Sequence, residues 1–409
     1  MFYTQDSRQI FKNTVFIALV GENNDGHTYI NQALKNGAKK IIFHDETYTT
    51  YIPKDKQIFV LDTEEWLWEQ AKQKIKGAKV ISICGSVGKT TTTKLLHHLI
   101  TNTPNKFAKS VFTPRFGINT LRGICLEILN NYQGEKLVIL ETAMDSFREL
   151  DKAAKVFEPE YVAVVSIDIS HYEKLKSMQR IIYTELGMLN SQKLKGAVVN
   201  IENPQTKKIL KNLNLRYSLT KYTQKKSISK KLNINIEPPH FRLNLDITLE
   251  MMQLLKIKIT PNKIQHALKA FTPAENRFEL HKFNNLTVLN DCYNAAPLSY
   301  RAFFDFAKHQ GGKKLGIIGQ INEIGTLSAE QHELLFNQAN KIFDEVIFVG
   351  EHFEHLKPKI FAKDWEQALD HYKKLNNART WDFIGIKGSR GIQLEKVFEC
   401  IKIAEKNIG

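Results

Sequence analysis

Residues 81–100, ISICGSVGKTTTTKLLHHLI, constrain this chain more than any other stretch. A β-branched apolar run stops at a turn carrying Gly85 and Gly88, and a helical pattern begins at Lys89-Thr90. Strand, glycine turn and helix in that order make a phosphate-binding loop. The glycines let the backbone approach closely, the amides point inward, and a helix N-terminus faces the anion. Lys89 supplies a point charge for the β- and γ-phosphates, and the Thr90 hydroxyl a ligand for Mg²⁺. The loop reads Gly85-Ser86-Val87-Gly88-Lys89-Thr90-Thr91; Ile83 stands where the longer G-x-x-x-x-G-K-[ST] pattern has its first glycine. A chance Gly-Lys-Thr turn would need neither the strand before it nor the helix after it. The expectation is a nucleoside triphosphate site, with ATP and Mg²⁺ as cofactors, on a parallel sheet covered by helices.

At 409 residues the chain exceeds one core and suits two or three domains. Its 42% apolar and 25% charged content is that of an ordinary globular protein. No apolar run approaches the roughly 20 residues that span a bilayer. The opening MFYTQDSRQIF has no basic segment followed by an apolar one, so no signal peptide is expected. Cys84, Cys125, Cys292 and Cys400 have neither pairing nor metal-ligand spacing, which suits reduced thiols and a cytoplasmic location. The net charge of +15 comes from dispersed lysines, with short dense runs such as 224–231. That pattern describes a solvated basic surface facing anionic ligands rather than a nucleic-acid groove.

Three blocks follow along the chain. The first has strands at 14–20, 38–44 and 58–62 around a helix at 28–36, and a helix at 63–77 leads out of it. The second holds the phosphate loop, strands at 136–141, 161–167 and 196–200, a polar excursion at 204–239 and helices at 245–257 and 262–271. The third alternates again, with strands at 286–291, 314–319, 345–350 and 382–386 and helices at 297–308, 328–343 and 392–405. The fold class is α/β throughout: a small N-terminal domain (1–76), a central phosphate-loop domain with a mostly parallel sheet (77–273), and a doubly wound C-terminal domain (274–409). In such sheets ligands gather at the carboxyl ends of strands. Glu141 ends one strand, and His171, with Asp168 and Glu173 near it, follows another. Each alone also suits a surface residue or a helix cap; three strand ends in one nucleotide-binding sheet argue more strongly together.

At this point the chain resembles the Mur ligases, ATP-dependent amino-acid ligases of peptidoglycan precursor synthesis, and within them the branch that adds D-alanyl-D-alanine. The resemblance sits in separated motifs along nearly the whole length. They are DSR (6–8), FIAL (16–19), DGHTYINQALKNGAK (25–39), GSVGKTTTTK (85–94), TPRFGINTLRG (113–123), ENRFEL (275–280), NDCYNAAPLSYRA (290–302), IGQINEIG with His332, and GIKGSRG (385–391). It implies an N-terminal domain for a UDP-linked substrate, a central ATPase, and a C-terminal domain that brings an amino acid or dipeptide. It also implies a reaction in which a carboxylate takes the γ-phosphate, ADP leaves, and an amine attacks the acyl phosphate.

Carried onto this sequence, the resemblance assigns Lys89, His171 and Lys387 to catalysis. The nucleotide falls to Gly85–Thr91, Asn244, Arg277, Asp291 and Asn294. Metal falls to Thr90, Glu141, His171 and Glu185, and substrate to Ser7, Arg8, Asp25, His27, Asn119, Thr120 and Ser389. Glu185 falls near the place where the family commonly carries a carbamylated lysine, and offers a ready-made carboxylate there. Asn244 stands in for an asparagine-rich adenine-side motif, and Gln320 for a usual aspartate. Several of these residues also admit plain readings: a turn and cap for Lys387–Arg390 and for Asp291 and Asn294, and a structural role for His332. The implied partners are a UDP-linked muramyl peptide and a small amine or dipeptide, handled by a monomer. Two alternatives remain open: the same chemistry on another carboxylate carrier, and a non-catalytic homologue that binds nucleotide or precursor.

Overall fold

The computed structural model describes residues 1–213, 218–236, 238–378 and 380–406. Three α/β layers follow one another, each on its own sheet. The first sheet joins β1 (Phe2–Thr4), β2 (Thr14–Ile17), β3 (Lys40–Phe43) and β4 (Gln57–Phe59), parallel and in chain order. The second comprises β5 (Lys79–Cys84), β6 (Val111–Phe112), β7 (Leu137–Glu141), β8 (Tyr161–Val164), β9 (Gly196–Asn200) and β10 (Ser218–Tyr222). These are all parallel, in the order β10-β9-β8-β5-β7-β6. The third comprises β11 (Glu279–Phe283), β12 (Leu286–Asp291), β13 (Lys314–Gly319), β14 (Glu345–Val349), β15 (Phe361–Ala362) and β16 (Phe383–Lys387). Its order is β11-β12-β16-β13-β14-β15, and only the β11–β12 pair is antiparallel.

The apolar runs explain the central strands. β5, β7 and β9 are buried almost throughout, as strands covered on both faces must be. β10 lies in the polar excursion, where the sequence marks no strand. Its residues SLTKY bury only Tyr222, whose hydroxyl meets Asp246, because it is an edge strand that needs one anchored side chain. The two helices that close this layer run Arg242–Leu254 and Pro261–Leu268, a few residues earlier than periodicity places them.

The layers are joined by packed seams. Helix Thr63–Lys74 lies against helix Leu121–Asn131, so one apolar cluster runs from β2 and β3 into the central layer. Asn130 exchanges both its amide bonds with the backbone of Tyr3 (2.7 and 2.9 Å), and Arg122 Nε donates to Glu64 (2.7 Å). A second cluster spans the central and C-terminal layers through helix Lys89–Thr101, helix Arg242–Leu254 and the aromatic face of Tyr300, Phe303 and Phe304. Among the described residues no helix is long and apolar enough to cross a membrane.

Candidate active site around the phosphate loop

The sheet order brings the sequence-derived strand ends together. β8, β5 and β7 are neighbours, so the phosphate loop after β5 lies between Glu141 at the end of β7 and the Ser166–His171 segment after β8. Gly85 (φ 128°) and Gly88 (φ 95°) both have left-handed backbone. A Cβ on Gly85 would lie 2.7 Å from Val165 Cγ2, and one on Gly88 2.4 Å from Asn244 Nδ2. Asn244 earns its place here: its amide donates to Gly88 O (3.1 Å) and Thr92 Oγ1 (3.0 Å), pinning the loop to helix Arg242–Leu254. Gly88→Ala is therefore expected to add roughly 1–2 kcal/mol of backbone strain and to displace Asn244. Calorimetric titration with ADP should show the affinity loss, about tenfold or more.

The loop amides divide, and this corrects the expectation that all face the anion. Ser86 N (2.7 Å) and Val87 N (3.2 Å) both donate to Ser166 O, because the backbone leaving β8 runs alongside the loop as an isolated bridge. The amides opening helix Lys89–Thr101, which no intrahelical carbonyl can satisfy, are the ones chemically suited to an anion. Thr91 is buried in that first turn. Lys89 Nζ lies over the loop and donates to Gly85 O (2.5 Å).

Thr90 and Asn119 converge on one carboxylate. Thr90 Oγ1 (2.9 Å) and Asn119 Nδ2 (3.0 Å) both donate to Glu141 Oε1, while Glu141 Oε2 is buried with no hydrogen-bond partner. Below the loop Glu185 is 1% exposed, and its Oε2 is likewise buried without a partner. Burial pushes the Glu185 carboxyl above its ordinary range, while Lys89, the Gly85 amide, His171 and the Ser86 hydroxyl pull it back. Two orphaned carboxylate oxygens flanking a phosphate loop fit a Mg²⁺ ion, which takes one or two carboxylates and completes its shell with phosphate oxygens and water. Among the described residues no three His, Cys, Asp or Glu side chains are grouped so as to hold a metal by themselves. The expected set Glu141, His171 and Glu185 is thus not one ready-made cage, although His171 lies near enough to Glu185 to act on its carboxyl.

His171 has a left-handed backbone (φ 51°) and faces across the seam. Its Nδ1 lies 2.7 Å from Glu323 Oε2, on the loop after β13, and 3.5 Å from Asp145 Oδ1. The same contact holds the Glu323 carboxyl below its ordinary range. Glu323 O also accepts Glu173 N (2.9 Å). Sequence reasoning quoted the Glu323 segment but did not single the residue out. The loop that presents it is fastened by His332 Nε2, which accepts Ile321 N (3.0 Å), and by Ser389 Oγ, which accepts Asn322 N (2.9 Å). Burial lowers His332 to about 4, keeping the ring neutral for that acceptor role. Ser389, expected at a substrate, serves here as a loop fastener.

In the C-terminal layer Lys387 is 1% exposed and donates to Asp291 Oδ2 (2.6 Å) and Asn294 O (3.1 Å), the β16 and β12 ends being paired in register. The Asn294 side chain accepts the next amide, Ala295 N (2.9 Å). Arg277 stacks on the Tyr293 ring (3.7 Å to its centroid) and Arg390 approaches the same ring (5.2 Å). Tyr293 thus gathers two guanidinium groups beside Gly117 of the central layer.

The remaining expected substrate residues divide by exposure. Arg8 is largely exposed and paired with Asp6 (2.9 Å), and Asp25 is half exposed. Ser7 is buried with its hydroxyl on Gln32 Oε1 (2.8 Å). His27 is 1% exposed; its Nδ1 meets Asp25 (2.7 Å) and its Nε2 accepts His44 N (3.2 Å), so the ring shapes the loop that carries Asp25. Thr120 caps helix Leu121–Asn131 by accepting Gly123 N (3.2 Å).

Fold and site together define a three-layer α/β protein with a phosphate-binding loop on its central sheet, facing the C-terminal layer. Three family models match in succession: Mur ligase family, catalytic domain, over 1–74; Mur ligase middle domain over 83–262; and Mur ligase, glutamate ligase domain, over 276–390. The chain belongs to the Mur ligase family. It is 28% identical over 429 residues to the UDP-N-acetylmuramoyl-tripeptide–D-alanyl-D-alanine ligase of Rickettsia prowazekii, covering 96% of this chain and 93% of that one. The enzyme of the same name from Bacillus subtilis is 26% identical, with 96% and 91% covered. Among solved structures, the MurF ligase of Thermotoga maritima in complex with ADP superposes with a TM-score of 0.83 at 23% identity, covering 100% of this chain and 98% of that one. MurF from Acinetobacter baumannii gives 0.83 at 20% identity, with 97% and 92% covered.

Proposed function

We propose that this chain is an ATP-dependent, ADP-forming ligase that joins D-alanyl-D-alanine to UDP-N-acetylmuramoyl-tripeptide through an amide bond. The observation that carries the reading is the pair of buried carboxylate oxygens left without partners, on Glu141 and Glu185, either side of Lys89 and Thr90. It is joined by full-length similarity to curated ligases of that name.

Every group that reacts in the phosphoryl transfer is anionic: the triphosphate, the acceptor carboxylate and the transferring phosphoryl group. The protein's task is then to position them and to supply positive charge where negative charge develops. Lys89 and the amides of the Lys89–Thr101 helix N-terminus do this for the phosphates, and Asn244 keeps the loop in shape. Thr90, Glu141 and Glu185 would hold Mg²⁺, which neutralises phosphate charge when bound. The acceptor carboxylate attacks the γ-phosphorus, ADP departs, and the dipeptide amine displaces phosphate from the acyl phosphate. That intermediate is destroyed by water, so closing the central and C-terminal layers over it would protect it. Arg277 and Arg390, gathered on Tyr293, lie on the seam where they would meet further phosphate or carboxylate charge.

We assign substrate binding to Arg8, Asp25 and the 1–76 layer, nucleotide to 77–273, and the incoming dipeptide to 274–409 through Lys387 and Asp291. Four unpaired cysteines accord with a reducing, cytoplasmic setting, and we take the chain to act as a monomer. The test is phosphate release from MgATP with UDP-MurNAc-tripeptide, with and without D-Ala-D-Ala, with the product followed by mass. Release that needs both substrates, with the joined mass, is expected. Release that ignores the dipeptide, or none despite ADP binding, would sink this substrate pair.

A further inference from the structure

Helix Pro297–Lys308 opens the C-terminal layer's contact with the central one; Ser299 Oγ, in its first turn, reaches back to accept Ala296 N (3.0 Å), but the helix supplies no side-chain acceptor for its own first amides. Its N-cap residue is Ala296, which carries no acceptor side chain. Helix N-termini leave their first amides without intrahelical partners, and an N-cap oxygen ordinarily takes the amide at the second or third position. Here that bond comes from another layer: Asp168 Oδ2 accepts Leu298 N at 2.7 Å, across 130 residues of chain.

The backbone of Asp168 makes the complementary contact. Its carbonyl accepts the Ser86 hydroxyl of the phosphate loop (3.0 Å), and Ser166, two residues before it, accepts the Ser86 and Val87 amides. Four residues into the helix, Tyr300 donates its hydroxyl to the carbonyls of Lys387 (2.8 Å) and Gly319. A line of bonds thus runs from Ser86 through Asp168 and the helix to the strand end carrying Lys387. Burial raises the Asp168 carboxyl, and the Leu298 and Ile169 amides with Arg301 oppose that rise. A partly buried carboxylate bonded to a helix amide of another layer, in this geometry, has the cap as its function.

We propose that Asp168 is a positioning residue that ties the C-terminal layer to the phosphate loop, capping from outside a helix whose N-cap residue carries no acceptor. Nucleotide in the loop is thereby sensed at Lys387. The coupling rests on the ligase reading above; the cap itself does not.

Hydrogen–deuterium exchange over 297–308, with and without MgADP, tests both parts in wild type, Asp168→Ala and Asp168→Asn, alongside calorimetric ADP affinity. Asparagine caps as well as aspartate does, so Asp168→Asn should retain wild-type protection. Asp168→Ala should speed first-turn exchange roughly 2–30-fold, lose the slowing by ADP, and lower kcat with little change in the KM for ATP. Equal exchange in alanine variant and wild type overturns the cap. So does an asparagine variant as impaired as alanine, which would assign the role to charge; this arm still decides if the alanine variant does not fold. A wild type that binds no ADP would overturn the nucleotide reading and the coupling, while exchange without ADP still decides the cap.

Discussion

Lys89→Ala is expected to lower turnover about 10²–10³-fold, the usual cost of removing one preorganised donor from a site of developing negative charge. The fold should tolerate the change. Lys89 Nζ bonds carbonyls of its own loop, Gly85 O and Ser86 O, and anchors no distant element. A melting curve close to wild type together with lost phosphate release would place the defect in chemistry. The substitution has a second effect, on the carboxyl below the loop. Lys89 is the largest influence favouring the charged form of Glu185, so its removal raises that carboxyl further and favours the neutral acid. Lys89→Ala and Glu185→Gln should consequently combine to much less than the sum of their separate effects. Full additivity in phosphate release would count against the two acting on one phosphate site.

Glu185→Gln is expected to cost about 10–100-fold in turnover, the range seen when support is removed from a metal site, while leaving the protein as stable or more so. The sign follows from the raised carboxyl. Ionising Glu185 in the folded protein costs more than in the unfolded chain, whose glutamate titrates near about 4.3. Its favourable contribution is therefore complete below that value and lost as pH rises through the higher native one. The glutamine protein has no such loss, so its melting temperature should draw ahead of wild type across that interval and keep the lead above it. Glu185→Ala should lose activity and stability together, since it empties a buried position. Glu185→Asp keeps the charge and shortens the reach. A glutamine variant with wild-type turnover would remove Glu185 from the phosphate site.

The phosphate loop was legible because its chemistry is local: strand, glycines and helix lie within twenty residues, and Lys89, Thr90 and Glu141 fell where the sheet order then put them. The long buried strands were legible for the same reason, as uninterrupted apolar runs. β10 escaped because SLTKY needs only Tyr222 inside. β1 and β6 escaped because strands of three and two residues carry no period. The site residues that sequence reasoning missed are joined across the chain. Glu323 meets His171, and Tyr293 collects Arg277 and Arg390; no spacing encodes either meeting. Thr120, Ser389 and His27 illustrate the reverse. Their motifs marked them, and their side chains turn out to hold backbone in place.

The sheet connections also bear on how the chain reaches this state. Among the described residues every strand pair apart from β11–β12 is parallel, so none of these can form from a tight turn; each waits for a crossover to close. The β11–β12 hairpin, turning at Asn284-Asn285, is the one pairing able to zip within about 1–10 μs. In the central sheet β5 lies between β7 and β8, strands made dozens of residues later. A ribosome would therefore release the phosphate loop well before its supports exist. During that interval the β-branched run 79–84 has no partner and is the segment most in need of a chaperone.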